Sequence, residues 1–156
     1  MVFGHWGPGR KWRQDEQDGQ DAEMEDHELT EKIIGCAMKV HTVLGPGFLE
    51  SVYQKALAHE LQKAGLKVEC EKAIAVYYDG VAVGEFSSDM LVEGRVMLEL
   101  KANQSLAPAN EVQLVNYLTA TGIETGLLLN FGAERLEFKR KTRTYRSKPL
   151  PKGFIL

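Results

Sequence analysis

Two tight turns between short strand-forming runs constrain the fold of this chain more than any other feature. Asp79-Gly80 separates residues 68–78 from residues 81–86, and both runs contain valine and aromatic side chains. An Asp-Gly pair favours a type I′ hairpin because both of its positions need positive φ. A second glycine turn follows, and it leads into a third run at residues 97–101. The sequence therefore predicts three consecutive antiparallel strands.

The third run alternates between apolar and charged residues. The period of a strand places Leu98 and Leu100 on one face, and Glu99 and Lys101 on the other. One face is therefore suited to packing, and the other is free for chemistry. Asp89, ten residues before Glu99, adds a second carboxylate on the preceding strand.

The length of the connecting loop decides whether Asp89 shares a face with Glu99, because each added loop residue reverses the facing relation of the two strands. A two-residue loop places Asp89 opposite Leu98, on the wrong face. A three-residue loop, with Gly94 in the left-handed conformation, places Asp89 opposite Met97 and on the face of Glu99. We predict the odd loop.

Two carboxylates and a lysine in this arrangement suit metal-dependent hydrolysis of a phosphodiester. Asp89 and Glu99 repel each other unless a cation lies between them, and carboxylate oxygens are preferred ligands of Mg²⁺ and Mn²⁺. Lys101 would position a metal-activated water or neutralise the phosphate. We therefore expect Asp89 and Glu99 to be metal ligands and Lys101 to be catalytic. Taken alone, an alternation of Glu and Lys is also common on an exposed strand face.

A glutamine and a tyrosine in the next predicted helix strengthen this interpretation. The helix is predicted over Pro108–Thr121, with proline near its start and Gly122 just past its end. Gln113 and Tyr117 are four residues apart and share a face. On their own they fit a packed tyrosine beside a surface amide. Together with the two carboxylates, however, they indicate one site, and we expect Gln113 and Tyr117 to steer the nucleic-acid strand or the lysine there.

A third motif is a glycine turn followed by an amphipathic helix. Gly47 precedes the helix, and Glu50 and Tyr53 are adjacent on its surface because they are three residues apart. A glutamate in the first turn also interacts favourably with the helix dipole. The sequence therefore fits a purely structural Glu50 and a Glu50 that acts at the site equally well.

Residues 47–53 match the G-x-x-E-x-x-Y signature, and the chain resembles the GxxExxY protein family from about residue 28 to about residue 138. That family is similar to a compact branch of the PD-(D/E)XK nuclease superfamily. The resemblance implies an α/β fold (α+β mixed sheet) with a restriction-endonuclease-like core, in the order α-α-β-β-β-α-β and with helices flanking a mixed central sheet. Ser88 stands where the superfamily name expects proline.

The resemblance also assigns roles to residues. It implies that Asp89, Glu99 and Lys101 carry metal binding and hydrolysis, and that Gln113 and Tyr117 correspond to a glutamine-tyrosine pair found in some branches. Glu50 would join the metal shell as a third carboxylate.

The order of elements predicts how the sheet is connected. A first helix is predicted at residues 29–44 and the signature helix ends at Gly65. A crossover through the glutamine helix should place strand 126–131 parallel to the third strand. Residues 136–143 are predicted to add an edge strand.

Composition divides the chain into three parts. Residues 1–27 contain three basic and seven acidic residues and few aliphatic side chains, so we expect a disordered acidic extension, with Met24 as the natural start. Residues 28–143 are predicted to form a single nuclease-like domain, followed by a basic tail at residues 144–156.

A basic tract near the end of the chain suggests contact with nucleic acid. Residues 135–152 contain eight basic residues and one acidic residue, and Tyr145 could stack on a base. A solvated tail is an equally good explanation of this composition. The residues expected to contact phosphates are Arg140, Lys141, Arg143 and Arg146.

A chain of 156 residues is long enough for one domain with a sizeable core. Its apolar runs are shorter than a membrane span and its first twenty residues lack the core of a signal peptide, so we expect a cytoplasmic protein with no membrane partner. The function expected is Mg²⁺-dependent or Mn²⁺-dependent cleavage of nucleic acid, with a homodimer or a targeting protein as further partners. The alternative is a catalytically inactive module on the same fold that binds nucleic acid or a protein.

Overall fold

The computed structural model describes the backbone of residues 10–144 and the side chains of residues 25–144. Eight elements follow one another along the chain. The helices are α1 (Arg10–Leu44), α2 (Glu50–Lys63) and α3 (Pro108–Thr121). The strands are β1 (Val68–Tyr78), β2 (Val81–Val92), β3 (Val96–Lys101), β4 (Thr125–Asn130) and β5 (Glu137–Thr142). The predicted order of helices and strands is confirmed.

The five strands form one mixed sheet in the order β1-β2-β3-β4-β5. The pairs β1–β2, β2–β3 and β4–β5 are antiparallel, whereas β3 and β4 are parallel. The parallel pair arises because α3 carries the chain from the end of β3 back to the start of β4. The mixed α/β architecture, the crossover and the edge strand are therefore as predicted.

Both hairpin turns have the predicted backbone conformation. Asp79 and Gly80 have φ values of 50° and 75°, as a type I′ turn requires, and Tyr78 pairs with Val81 across it. The second turn has a left-handed Gly94, with φ of 65°.

The β2–β3 loop has three residues, so the predicted odd length is confirmed. Val92 pairs with Val96, which leaves residues 93–95 in the loop. The predicted pairing of Asp89 with Met97 is wrong, because Met97 pairs with Leu91. The loop begins one residue later than expected since Val92 is fully buried and stays in the sheet. Continued by one step, this register brings Asp89 opposite Glu99.

Helix α1 begins at Arg10, so the predicted start near residue 29 is wrong. Apolar periodicity marks only the buried part of a helix, which here begins with Leu29 and Ile33. The preceding segment is rich in Gln, Glu and Asp, contains no proline, and is helical in backbone. The predicted disordered extension therefore overlaps α1 from residue 10 onward. Residues 1–9, and residues 145–156 of the predicted basic tail, lie outside the described part of the chain.

The sheet has an apolar core on each face. Helices α1 and α2 cover one face, and α3 covers the other with a smaller cluster. The larger cluster includes Ile33, Leu57, Leu98, Leu100, Leu127 and Leu129. The smaller cluster is centred on Met97, Leu114, Leu118 and Leu128. In β3 and β4, alternate residues therefore pack on opposite sides, as the strand period predicts.

Tyr53 of the signature fastens the glycine turn to the core. Its ring is fully buried and stacks on Phe131 with 4.8 Å between ring centroids. Its hydroxyl donates to the Gly45 carbonyl at 2.6 Å and accepts from the Phe48 amide at 3.2 Å. Gly47 has φ of 112°, a conformation that favours glycine. These two signature residues therefore have structural roles. Among the described residues, no helix combines the length and apolar character needed to cross a membrane.

Candidate active site

The candidate site begins where β2 and β3 separate. The last residue pair of their ladder is Met90 and Leu98. Beyond this pair, β3 donates a backbone hydrogen bond to a side chain of β2 and not to its backbone. The Leu100 amide donates to Asp89 Oδ2 at 2.7 Å. A carboxylate thus replaces a ladder bond, which leaves Asp89 firmly placed beside the end of β3.

Strand β2 also changes face at Asp89. Phe86 stacks on Tyr117 of α3, whereas Met90 and Val92 belong to the core under α1 and α2. Even-numbered residues of a regular strand would share one face, so the alternation is broken between residues 86 and 90. Glu71 of β1, which the register places opposite Asp89, has a positive φ of 54°. The irregularity gives Asp89 its position.

Glu99 is the most perturbed acid of the site. Its side chain is on the α3 face of β3, the residue is 7% exposed, and its Oε1 has no hydrogen-bond partner among the described residues. Burial, and after it the neighbouring charge of Asp89, together raise the pKa of Glu99 to about 8. The charge of Lys101 opposes this shift of the pKa. The structure therefore brings these three predicted residues together.

Gln113 and Tyr117 approach the same place from α3. Gln113 Nε2 donates to the Tyr117 hydroxyl at 2.7 Å, and the Tyr117 ring stacks on Phe86 with centroids 3.6 Å apart. Burial raises the Tyr117 pKa, and the charge of Glu99 acts in the same direction. Tyr117 therefore packs against the sheet and also lies in the electrostatic field of the carboxylates. The structure thus shows the packed tyrosine beside a surface amide, and the expected role of the pair at the site stays a prediction.

Glu50 is not gathered into a three-carboxylate group. It is the exposed first residue of α2, and within the described residues no three His, Cys, Asp or Glu side chains form a group that could hold a metal ion. The helix nevertheless reaches the site one turn later. Gln54 Nε2 donates to the Asp89 carbonyl at 3.2 Å. Since Gln54 follows Glu50 by four residues, both lie on the same side of α2.

The predicted phosphate-binding residues do not form one face. Arg140 and Lys141 are neighbours on β5, so their side chains point to opposite sides of the sheet. Arg140 contacts His27 at 2.6 Å, Lys141 pairs with Glu111 at 2.6 Å, and Arg143 pairs with Glu124 at 2.8 Å. Arg146 lies outside the described residues. These pairs are partly exposed, so they can open at modest energetic cost.

The donor set fits a hard divalent cation. Asp89 and Glu99 are neighbouring carboxylates whose like charges repel, and Glu99 Oε1 is a buried oxygen with no hydrogen-bond partner in the described part of the chain. Buried polar atoms are rarely left unsatisfied, and a cation between two carboxylates would satisfy this one. Oxygen ligands of this kind suit Mg²⁺ or Mn²⁺.

Asn130 supports the site and was not singled out from the sequence. It is fully buried and lies beside Lys101 in the β3–β4 pair. Its Oδ1 accepts from the Asn103 amide at 3.0 Å and the Gly132 amide at 3.1 Å, and its Nδ2 donates to the Asn103 carbonyl at 2.9 Å. A Cβ at Gly132 would lie 2.4 Å from the Asn103 backbone, so this contact needs glycine. The network fixes the loop that follows Lys101.

Gln54 and Phe86 were also missed, and each carried a signal in the sequence. Gln54 is one helical turn beyond Glu50, so any argument that brings Glu50 to the site also brings Gln54 near it. Phe86 is an aromatic residue three positions before Asp89. Asn130 was marked by being the polar residue that ends a run of three leucines.

A family model described as the PD-(D/E)XK nuclease superfamily matches residues 27–141, which is most of the chain. The chain belongs to this superfamily. Asp89, Glu99 and Lys101 are our candidates for the aspartate, the acidic residue and the lysine in the superfamily's name, and the structure places the three close together. The resemblance to GxxExxY proteins stays a prediction.

Among solved structures, the crystal structure of SSO0001 is similar to this PD-(D/E)XK chain with a TM-score of 0.49 and 15% sequence identity. The similarity covers 62% of this chain and 50% of that chain. The chain therefore spans half of the length of SSO0001. No curated protein matches the sequence.

Proposed function

We propose that this protein is a metal-dependent nuclease that hydrolyses phosphodiester bonds of nucleic acid, and that it belongs to the GxxExxY branch of its superfamily. The observation that carries the proposal is the pair of half-buried Asp89 and buried Glu99 beside the ammonium of Lys101, with Glu99 Oε1 lacking a hydrogen-bond partner among the described residues. Membership of the PD-(D/E)XK superfamily supports the same reaction class.

Asp89 and Glu99 would hold Mg²⁺ or Mn²⁺. Such an ion lowers the pKa of a water ligand and stabilises charge on a phosphate oxygen. Asp89 enters this role already oriented, since its Oδ2 accepts from the Leu100 amide and its carbonyl accepts from Gln54. Glu99 is fixed by its place on a buried strand. The positions of both proposed ligands are thus determined by strands and not by a mobile loop. Glu50 remains our proposed third carboxylate.

Lys101 would neutralise the negative charge that develops on the phosphate. It lies on the same face of β3 as Glu99, two residues further along, and its charge is felt by that carboxylate. Preorganised cations in partly buried sites stabilise transition states more effectively than the same charges in water.

Gln113 and Tyr117 would orient groups around the carboxylates. The Tyr117 oxygen accepts the amide hydrogen of Gln113, so its own hydrogen is left to donate elsewhere. The stack on Phe86 limits rotation of the ring. Tyr117 is therefore suited to donate to a phosphate oxygen or to a carboxylate of the site.

The substrate and location form part of this proposal. We propose nucleic acid as the substrate, with Arg140, Lys141, Arg143 and Arg146 exchanging their partners or solvent for phosphates. We also propose that the protein acts in the cytoplasm, as a homodimer or with a targeting protein.

The test combines metal binding with cleavage. Calorimetry with Mg²⁺ and Mn²⁺ should show binding that Asp89→Asn removes. Labelled single-stranded, duplex and branched DNA, and RNA, should be cut by the parent and not by Lys101→Ala. Lys32→Ala, which removes an exposed lysine of α1, is the matched control and should keep full activity.

The opposite result has a clear meaning. If the folded parent binds neither metal and cuts none of these substrates, the protein is an inactive module on the nuclease fold. Retained binding of nucleic acid would then identify it as a binding domain.

A further inference from the structure

A cavity of about 290 Å³ lies beside the candidate site, between the β1–β2 hairpin and the end of α3. Its walls are mainly apolar, and its polar groups are few. The residues that matter for its chemistry are Ile74, Leu91, Met97 and Ile123 on the apolar side, and Lys72 and Ser88 on the polar side. Its size is close to the lower end of the range for small-molecule pockets in proteins.

The cavity and the carboxylates share one face of the sheet. Ser88 immediately precedes Asp89. Met97 lies two residues before Glu99 on the same side of β3, which is a distance of about 7 Å along a strand. A molecule in the cavity is therefore about one nucleotide away from a phosphate held at the carboxylates.

We propose that this cavity binds a nucleobase of the nucleic-acid substrate, next to the phosphodiester that is cleaved. The inference rests on the proposed function and adds to it a subsite that selects for an unstacked base.

The wall chemistry suits a flat heterocycle. The apolar side chains offer contact surface for a base, while Ser88 supplies one buried polar group, 1% exposed. Its hydroxyl donates to the Met90 carbonyl at 3.1 Å, so its oxygen is left to accept an N–H from the edge of a base. A pocket of this kind binds a base better than it binds a charged or strongly hydrated group.

Lys72 provides a cation for the flanking phosphate. It pairs with Glu69 at 3.2 Å, and the two side chains are 51% and 39% exposed. An exposed pair of this kind is weak, so a phosphate can replace the carboxylate. The apolar wall and the cation together match the two parts of a nucleotide.

A base bound in the cavity implies that the protein prefers single-stranded to duplex nucleic acid. A base can enter only if it leaves its stack, which costs least in single-stranded or frayed nucleic acid. We therefore expect single strands to bind more tightly than intact duplexes of the same length.

The test measures whether binding depends on bases at this cavity. The parent for binding is the full chain carrying Lys101→Ala, in Mg²⁺, so that the oligonucleotide is not consumed. Its affinity for a labelled single-stranded oligonucleotide is compared, by fluorescence anisotropy, with that for an abasic strand of equal length. The parent should bind the ordinary strand at least about tenfold more tightly, as expected for one well-packed base.

Thr121→Leu fills the cavity from the end of α3 without adding an aromatic stacking surface, because Thr121 lines the cavity and shares the sheet-facing side of α3 with Leu114 and Leu118. It should remove the preference for the ordinary strand. The control is Ala82→Leu, which adds the same side chain at an exposed position of β2 outside the cavity and should keep the preference. Thr121→Met, whose unbranched side chain adapts more easily to the cavity, serves if Thr121→Leu does not fold by circular dichroism.

Base-free hydrolysis separates this proposal from the proposed function. Bis(4-nitrophenyl) phosphate has no base, so in the wild-type background the cavity variants should hydrolyse it at the parental rate. The cavity proposal is overturned if the parent binds both strands equally or binds neither, or if Ala82→Leu loses as much as the cavity variants. Base-dependent binding without hydrolysis of nucleic acid or the ester would instead overturn the nuclease and keep the pocket.

Discussion

The two faces of β3 carry side chains with different roles, one in the core and one at the candidate site. Leu98 and Leu100 point towards α1 and α2 and are buried in the larger core. Glu99 and Lys101 point towards α3 and belong to the candidate site. Burial is nearly complete at Leu98 and Glu99 alike, with 0% and 7% exposure. The difference between them is chemical: one gains stability from burial, and the other has a pKa raised by it.

This contrast teaches how a small domain can position charged groups rigidly. A buried strand fixes the backbone, and the period of two then delivers core residues and site residues alternately. Substitutions on the two faces should therefore separate stability from activity. Substitutions on the core face should lower the free energy of unfolding and leave turnover unchanged. Substitutions on the site face should lower turnover without lowering the free energy of unfolding.

The largest effect expected on the site face comes from Asp89→Asn. The amide oxygen can still accept from the Leu100 amide, so the fold is preserved. The loss of one carboxylate charge weakens metal binding, and we expect turnover to fall by about a thousandfold or more, since acid residues that hold catalytic metals are indispensable. The measurements are the cleavage rate for turnover, calorimetry for metal affinity and the melting temperature for stability. A large drop in melting temperature would show that the two faces are not separable.

The matching change on the core face is Leu98→Ala. Removal of a fully buried leucine should lower the free energy of unfolding by about 2–5 kcal/mol. Below its lowered melting temperature, the variant should keep metal affinity and turnover within about threefold of the parent. Urea unfolding and single-temperature kinetics measure both quantities. Loss of turnover in a fully folded variant would contradict the division of labour.

Glu99→Gln tests the electrostatic effect of burial on the site face. The Glu99 pKa of about 8 lies above that of an unfolded glutamate, so the folded state binds more protons between about pH 4.3 and pH 8. The parent's free energy of unfolding should therefore fall as pH rises through that window. Gln removes this slope, so the variant should melt several degrees above the parent at about pH 8.5 in EDTA, but not at about pH 4.5.

The control for this experiment is the metal. Mg²⁺ at about pH 8.5 should raise the melting temperature of the parent and leave Glu99→Gln nearly unchanged, because only the parent has both carboxylates. An equal difference between the two proteins at both pH values would mean that the Glu99 pKa is not raised.

The sequence was sufficient to predict most of the sheet but not the detail at Asp89. Asp-Gly turns, the alternation in β3 and the crossover through α3 are local or topological rules, and they predicted the strand order correctly. The break in alternation around Asp89 depends on Phe86 stacking on Tyr117 and on the positive φ of Glu71. These are contacts between distant segments, which periodicity does not encode.

Helix α1 and the basic residues illustrate the same limit. Periodicity detects the buried turns of a helix and not the solvated ones, so the start at Arg10 was missed. Charge counting found the basic residues of β5 but not the pairing of Lys141 with Glu111, because the two are brought together only by the packing of α3 on the sheet.

A smaller effect is expected at Gln54, which acts on the site face through the backbone of Asp89. Gln54→Leu removes the donor to the Asp89 carbonyl, which loosens the strand at its break. We expect kcat to fall by about tenfold with little change in KM, because the interaction positions a ligand and does not touch substrate. Gln62→Leu, an exposed position later on α2, is the control. An equal effect on kcat at both positions would remove any specific role for Gln54.

The smallest effect is expected from Lys141 of β5 and its partner Glu111 on α3. Lys141 is held by Glu111, whose pKa is lowered chiefly by the hydrogen bond to Lys141. Lys141→Gln should therefore weaken nucleic-acid binding by no more than about threefold at physiological salt, since a phosphate gains the lysine only by displacing Glu111. Glu111→Gln frees the lysine on the α3 side, where the candidate site lies, and should strengthen binding slightly. Binding measured across a salt series checks both, and tighter binding by Lys141→Gln would exclude phosphate contact by that lysine.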